Sequence, residues 1–467
     1  MMSKLNTLVG PKGHFLWGNL WEFRKDELAF LTRCVQEYGE IVPLRLVHLP
    51  AYLLLNPDHL EYVLITRRQD FTKSRMYRLM DSLMGNGLGL SEGDFWLHQR
   101  RLIQPAFHRE RIEAYAQIMV DHTERMLSTW QEAQTLDIIA TAMNLTLAIT
   151  VKAFLSYDTE HDAEGKGISE ALKEVAQVIT ARFRSPIPLP ETIPTPTNRR
   201  YRKTVQGVEA FIYRIIQQRR AQPDEDSGDL LSALLQAQDE EGSRMTDQQL
   251  RDEIMTTFVG GTDTSAASLL WTWYLLSQHP AVEAKLVAEL DAVLGDRSPT
   301  AADLSNLPYL DRVYTESLRY YSPGPLLGRE ATKDFELDGY HFPAGAELWI
   351  SPWAMHRNPR YYEAPDEFRP ERWEGDFAKQ LPKFAYMPFS HGPRQCIGNG
   401  FVKMEAKLIL ATVAQRFHLE LAPGQIVEPE FSMTVFPKHG IKMLVTKRRA
   451  ASRSVQHSMA IPVASPV

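Results

Sequence analysis

The stretch Phe389-Ser390-His391-Gly392-Pro393-Arg394-Gln395-Cys396-Ile397-Gly398 constrains this chain most, because it sets a sulfur on the seam between a loop and a helix. Gly, Pro and Ser build the loop, and the mostly apolar run 401–417 that follows has helical spacing. At a helix start the dipole and the free backbone N–H groups favour a negative sulfur, so Cys396 is placed to be a thiolate. A thiolate attacks a substrate or holds a metal. Cys34 and Cys396 are the only two cysteines, and neither belongs to a C-x-x-C pair, which argues against a four-ligand zinc site. A lone cysteine is otherwise a small buried hydrophobe. Here Gly392, Gly398 and Gly400 strip side chains from around the sulfur, which is useful where something large and flat approaches the backbone. Arg394 adds a cation for an anionic edge of that object.

With these residues the segment resembles the haem-binding signature of the cytochrome P450 family, F-x-x-G-x-R-x-C-x-G: Phe389, Gly392, Arg394, Cys396 and Gly398 fill every specified position. The resemblance implies haem b held by Cys396 as axial thiolate, an arrangement that pushes electron density onto iron and favours O–O cleavage.

The chain has 467 residues and no long Gly/Ser or charged linker, so it reads as a single domain over 1–449 with a disordered tail over 450–467. A hydrophobic content of 44% against 24% charged residues supplies an ample core, and a net charge of -6 leaves no nucleic-acid footprint. Two cysteines exclude a disulfide scaffold and suit a reducing compartment. Residues 1–21 contain no apolar run of the length a signal peptide or membrane span needs. The long apolar stretch 258–276 is broken by Gly260-Gly261-Thr262-Asp263-Thr264-Ser265, and an acid in mid-span is expensive in lipid. These features predict a soluble, cytoplasmic, monomeric protein with no membrane anchor.

Taken in order, 10–19 reads as an extended arm, 26–38 as a helix, 41–47 and 51–55 as two strands, and 57–66 as a short helix. Gly85-Asn86-Gly87-Leu88-Gly89 is a flexible loop, not a dinucleotide fingerprint, since no strand-glycine-helix unit surrounds it. Helical spacing then dominates over 110–129, 136–154, 168–183 and 197–220, with a proline-rich break from Ser185 to Pro196. Residues 252–278, 281–294 and 310–321 continue as helices, and short strands follow over 335–340, 347–350 and around Val435. The fold class is therefore mainly α with small β-sheets, and the resemblance implies the cytochrome P450 fold, haem lying between the long central helix and the Cys396 loop.

Three further segments carry chemistry. Trp96 and Arg100, at i and i+4, share one helix face. They are a half-buried Trp and a solvated Arg unless both grip one haem propionate, as the resemblance implies. Gly260 and Gly261 would cost a helix interior about 1 kcal/mol each relative to Ala, so a packing benefit must offset them: they dent the helix wall. Asp263 and Thr264, an acid beside a hydroxyl, form a proton-delivery chain if water enters that dent, and they resemble the family's oxygen-activation motif. A Thr bonding back to a carbonyl is compatible with that role. Glu316 and Arg319, at i and i+3, are alone no more than a salt bridge. The resemblance makes them the E-x-x-R pair, closed by Arg372 into a network that locks the Cys396 loop.

The resemblance also places Leu326 and Leu327 against substrate and Arg329 on a propionate, with Val259, Val435 and Phe436 completing an apolar pocket. It implies a monooxygenase that inserts one atom of O2 into a C–H or C=C bond of a lipophilic molecule such as a fatty acid or terpenoid, and the signatures resemble the soluble, bacterial-type members and the branch that includes long-chain fatty-acid hydroxylases more than the branch with a His in place of Arg394. Thr264 and Asp263 would deliver protons. The chain holds no flavin or iron–sulfur segment, so electrons are expected from a separate donor, most simply a ferredoxin with its ferredoxin reductase. A peroxide-rearranging enzyme and a non-catalytic haem sensor are the alternatives; the Asp263-Thr264 pair argues against both.

Overall fold

The longest periodic segment becomes the axis of the molecule. In the computed structural model, which describes residues 8–159, 163–185, 190–222, 227–431 and 433–448, a 32-residue helix runs over Asp247–Gln278. It starts five residues before the expected point because Thr246 caps it: the Thr246 hydroxyl accepts from Gln249 N at 3.2 Å, and the Gln249 side chain accepts from Thr246 N at 2.8 Å. This central helix is buried almost all round by Ile138–Leu155, Pro196–Arg220, Pro308–Tyr320 and Asn399–Arg416. Burial on every side explains why it shows no simple apolar stripe.

The most apolar helix is Ile138–Leu155, not the stretch singled out in the sequence, and it is long and apolar enough to cross a membrane by composition alone. It is 67% buried along the central helix, and is read as a core helix. The segment read as one helix over 110–129 is two, Arg109–Ala114 and Ala116–Ser128. The break falls at Tyr115, a buried ring that meets Phe401 edge-on at 6.1 Å.

A five-stranded sheet lies to one side in the order Ile41–Leu46, Leu49–Leu54, Glu347–Ile350, Leu327–Ala331, Phe71–Lys73. All its neighbours are antiparallel except Leu49–Leu54 with Glu347–Ile350. Its outer register sets Lys73 directly opposite Arg329. Thr135–Asp137, Lys442–Lys447 and Phe417–Leu421 make a second sheet, and two hairpins pair Phe335–Leu337 with Tyr340–Phe342 and Pro429–Phe431 with Val435–Pro437. The chain is thus mainly helical with small sheets, as expected. The segment 450–467 and residues 186–189 of the proline-rich break lie outside the described residues.

Candidate functional site

The cysteine loop is wound tightly enough to aim its sulfur inward. Cys396 N donates to Phe389 O and Gln395 N to Gly392 O, each at 3.0 Å. Gly392 has φ +78°, and a Cβ there would stand 2.8 Å from Leu64 O, so this turn requires glycine. Phe389 packs on the core with the Lys403 ammonium 5.4 Å from its ring centroid. Cys396 then opens onto a cavity of about 300 Å³, lined on other sides by Trp96, Arg100, Ile103, Gly260, Gly261, Leu327, Arg329, Arg394, Gly398 and Phe401. Burial pushes the Cys396 thiol up, against the pull of the Gly398 N–H and the Arg100 charge. The Gly398 N–H and the Arg100 charge both favour the thiolate at this helix start, and a metal cation held there would favour it further.

The facing wall is the central helix. A Cβ built on Gly260 meets nothing within 4 Å, and one on Gly261 only the Thr150 hydroxyl at 3.9 Å, so both positions border open space that side chains would invade. One turn on, Thr264 Oγ1 donates to Gly260 O at 2.6 Å, the back-bonded arrangement considered for it. Asp263 projects elsewhere. It borders a narrow apolar pocket of about 30 Å³ with Val259 and Phe258, and a wider one of about 860 Å³ with Phe436, and Lys173 borders both. Burial alone pushes the Asp263 carboxyl up to about 6.

Cations crowd the rim. Arg100, Arg329, Arg394 and Lys73 all line the cavity. Arg394 lies on the Trp96 ring, 3.9 Å from its centroid, donates to Ser91 O at 2.7 Å and pairs with Glu92. Arg100 donates to Gln395 O at 3.1 Å and the buried Arg329 to Gly328 O at 2.9 Å; among the described residues neither has a carboxylate partner. Like charges directly opposite in a sheet are destabilising, yet Lys73 faces Arg329. Burial lowers Lys73 to about 7, with Arg394 and Arg329 acting the same way against Glu92 and Glu253. A surplus of buried positive charge beside a bare thiol and a side-chain-free helix wall fits a flat group with an anionic edge and a metal centre. Haem has that chemistry.

The proposed clamp is assembled. Glu316, fully buried, accepts from Arg319 Nε at 2.9 Å and Nη2 at 2.8 Å, from Arg372 Nε at 2.9 Å and from Trp373 Nε1 at 2.8 Å. Arg319 donates onward to His356 O, Pro365 O and Glu367 O at 2.7–2.9 Å. The His356 ring accepts Met387 N at 2.9 Å, and Tyr362 donates to Ala385 O at 3.1 Å, which carries the lock to the threshold of the Cys396 loop.

Of the expected pocket residues, Leu327 reaches the cavity. Leu326 and Val435 do not line it: both lie in the core, and the Val435 carbonyl accepts Trp271 Nε1 at 2.8 Å. Val259 and Phe436 do not line it either and border the pockets beside Asp263; Leu326 stands just before the strand that opens at Leu327, and alternation turns Val435 and Phe436 to opposite faces. Lys73, Tyr77, Glu253 and Thr256, which also line the cavity, went unnoticed in the sequence. Thr256 and Glu253 stand four and seven residues before Gly260, a helical spacing that could have found them. Lys73, in a three-residue strand, carried no such signal.

The cytochrome P450 family model matches residues 8–445. The chain is 36% identical to cyclooctatin synthase of Streptomyces melanosporofaciens, over 92% of this chain and 94% of that protein. It is 36% identical to cyclooctat-9-en-7-ol 5-monooxygenase of the same organism, over 90% of each. Pentalenene oxygenase of Streptomyces avermitilis is 30% identical over 92% of this chain and 95% of its own. The crystal structure of the cytochrome P450DA haem domain superposes with a TM-score of 0.85 at 25% identity, covering 95% of this chain and 98% of that one.

Proposed function

This chain belongs to the cytochrome P450 family, and from that premise we propose that Cys396 is its haem ligand and that a cyclic terpenoid is its substrate. It is a haem-thiolate monooxygenase. The observation that carries the reading is that Cys396 and the bare Gly260–Gly261 wall line one cavity whose rim is cationic. Cys34, the only other cysteine, is fully buried elsewhere, with its thiol pushed up to about 12 by burial.

When bound, haem supplies the activation of dioxygen and the cleavage of its O–O bond. The remaining work falls to side chains. Arg100, Arg329, Arg394 and the Trp96 indole hold the propionates, answering the rim's surplus charge. Phe389 and Gly398 shape the pocket for the sulfur, and the Gly398 N–H moderates its charge. Asp263 takes protons from the wide pocket on the far side of the central helix, a carboxyl at about 6 being able to gain and lose them near neutrality. Thr264 passes them on by exchanging its bond to Gly260 O for one to a water in the dent. Leu327, with Val259 and Phe436 behind the helix, keeps the surroundings apolar, which suits a hydrocarbon skeleton. Electrons come from a separate donor, which we take to be a ferredoxin with its reductase, and the working form is a monomer. Relatives named for cyclooctatin, cyclooctat-9-en-7-ol and pentalenene support a polycyclic terpene over a fatty acid.

A panel of cyclic di- and sesquiterpenes against long-chain fatty acids, scored by the shift of the Soret band, tests the substrate; a response to fatty acids alone would remove the terpenoid reading. Cys396→Ser should abolish the red-shifted carbon monoxide band of the reduced protein, and its persistence would exclude Cys396 as ligand. Thr264→Ala should keep electron consumption while product per electron falls about tenfold or more; unchanged coupling would exclude the relay.

A further inference from the structure

Charged side chains are almost never fully buried unless something holds them, and on the central helix three stand in a row. Arg251, Asp252 and Glu253 are 2%, 5% and 3% exposed. The run looks in sequence like the solvated first turns of a helix, and neither the proton path nor the cationic rim makes use of it. Each member reaches a different partner off the helix. Arg251 pairs with Glu209 of Pro196–Arg220 and donates to Ser82 O at 3.5 Å. Asp252 Oδ2 accepts from Asn86 N and Glu253 Oε2 from Leu88 N, each at 2.9 Å. Arg251 Nη1 also donates to Asp252 Oδ1 at 2.9 Å, which offsets part of the cost of burying two adjacent acids.

Asn86 and Leu88 belong to the glycine-rich segment 85–89, which the sequence presents as a flexible loop. In the fold it lies flat against the helix. A Cβ on Gly85 would run into the Asp252 carboxylate, and one on Gly87 would meet Thr256 Oγ1 and stand 2.5 Å from Asp252 O, so only bare backbone comes this close. From the other side Lys73 Nζ donates to Gly89 O and, at 3.4 Å, to Leu88 O. The loop is thus gripped by its N–H groups and by its carbonyls. Leu88 and Gly89 line the cavity that holds Cys396, which makes the position of this loop a dimension of the site.

We propose that Asp252 and Glu253 are specificity-determining positioning residues: they pin the 85–89 loop to the central helix as a fixed wall, and Leu88 on that wall limits the size of ligand the cavity admits. The proposal rests on the haem reading of the cavity. Azoles, which take haem iron through a ring nitrogen, separate the two: a Soret shift with imidazole reports the haem, whereas discrimination between a small and a bulky azole reports the wall.

Soret titrations of the holoenzyme with imidazole and with 1-phenylimidazole test it, alongside deuterium exchange of the peptide spanning 85–90 read by mass spectrometry. Glu253→Leu removes the acceptor for Leu88 N at nearly constant volume. It should speed exchange in that peptide about tenfold or more, and raise the affinity for 1-phenylimidazole relative to imidazole several-fold. Leu88→Ala should change the azole ratio in the same direction. Glu253→Gln, which keeps a carbonyl oxygen for Leu88 N, should retain the wild-type exchange and the wild-type ratio. Gly87→Ala crowds the loop off the helix with both acids in place and should reproduce the two effects of Glu253→Leu, which keeps the test decisive if that variant does not fold. All four should keep the reduced carbon monoxide spectrum. Wild-type exchange in both Glu253→Leu and Gly87→Ala would overturn the clamp. Faster exchange with an unchanged azole ratio would overturn the role in specificity and leave the acids in the scaffold. A wild-type protein that gave no imidazole shift would remove the haem reading, and the role in specificity with it.

Discussion

Arg329 shows how a residue that costs stability can be kept for a ligand. It is buried, its guanidinium is lowered by burial, it faces Lys73 across the sheet, and it has no carboxylate partner among the described residues. A buried charge without a partner is a net loss to the fold until an anion answers it. Arg329→Met, which keeps the length and apolar stem, should therefore stabilise the haem-free protein by about 1 kcal/mol or more while weakening haem retention. Denaturant melts of the haem-free form and the haem-to-protein ratio after gel filtration measure the two arms. A variant that loses stability without haem and keeps full haem content would place Arg329 in the scaffold and not at the propionates. Residue-scale reasoning from sequence found this arginine only by resemblance, since a lone Arg after a proline-rich bend has no local signature; its meaning comes from Lys73, more than 250 positions away in the chain.

The central helix is where the sequence was most legible. Its glycine pair stood out because a helix interior penalises glycine, and the structure gives the compensation: open space at Gly260 and Gly261 on the wall that faces Cys396. The same observation separates two substitutions. Gly260→Ala should leave the fold intact and stabilise the haem-free helix by up to about 1 kcal/mol, since its methyl meets nothing within 4 Å. Gly260→Leu should fold equally well by circular dichroism yet fill the cavity and lower the haem-to-protein ratio several-fold. If Gly260→Leu took up haem normally, the dent would not be where haem lies. Strands were read less well than helices. Leu327 lines the cavity while Leu326, Val435 and Phe436 do not; such facing depends on where a strand starts and on its register, and a two-residue period slips by a whole face with one residue. The helix read over 110–129 missed its break for a related reason: Tyr115 is decided by Phe401, which periodicity within the segment does not contain.

At the scale of the whole molecule, long-range meetings were the least legible feature, and Glu405 is the clearest case. In sequence it is an acid nine residues after Cys396 on an apolar helix, which reads as a solvated face. In the fold it is 1% exposed where three helices meet, near Ser265 of the central helix and Tyr314 of Pro308–Tyr320. Burial pushes its carboxyl from 4.5 up to about 8, against the pull of the Ser265 hydroxyl. The folded state therefore holds a proton that the unfolded chain releases, so the associated stability is fully present below about 4.5 and declines as pH rises to about 8, beyond which it is flat. Glu253, raised to about 7, and Asp263, raised to about 6, act in the same sense over the lower part of that window. Asp303 acts in the opposite sense: Arg297 holds it well below the usual carboxylate range, so its contribution is lost only on acidification. Glu405→Gln keeps the shape and the neutral charge of the protonated acid but cannot ionise. It should flatten the alkaline side of the stability profile by up to about 1.4 kcal/mol per pH unit within that window, while leaving the acid limb set by Asp303 unchanged. Urea midpoints across the pH range measure both limbs. An identical alkaline slope in wild type and Glu405→Gln would mean that the carboxyl ionises freely in the fold, and that water reaches the junction of the three helices behind the site.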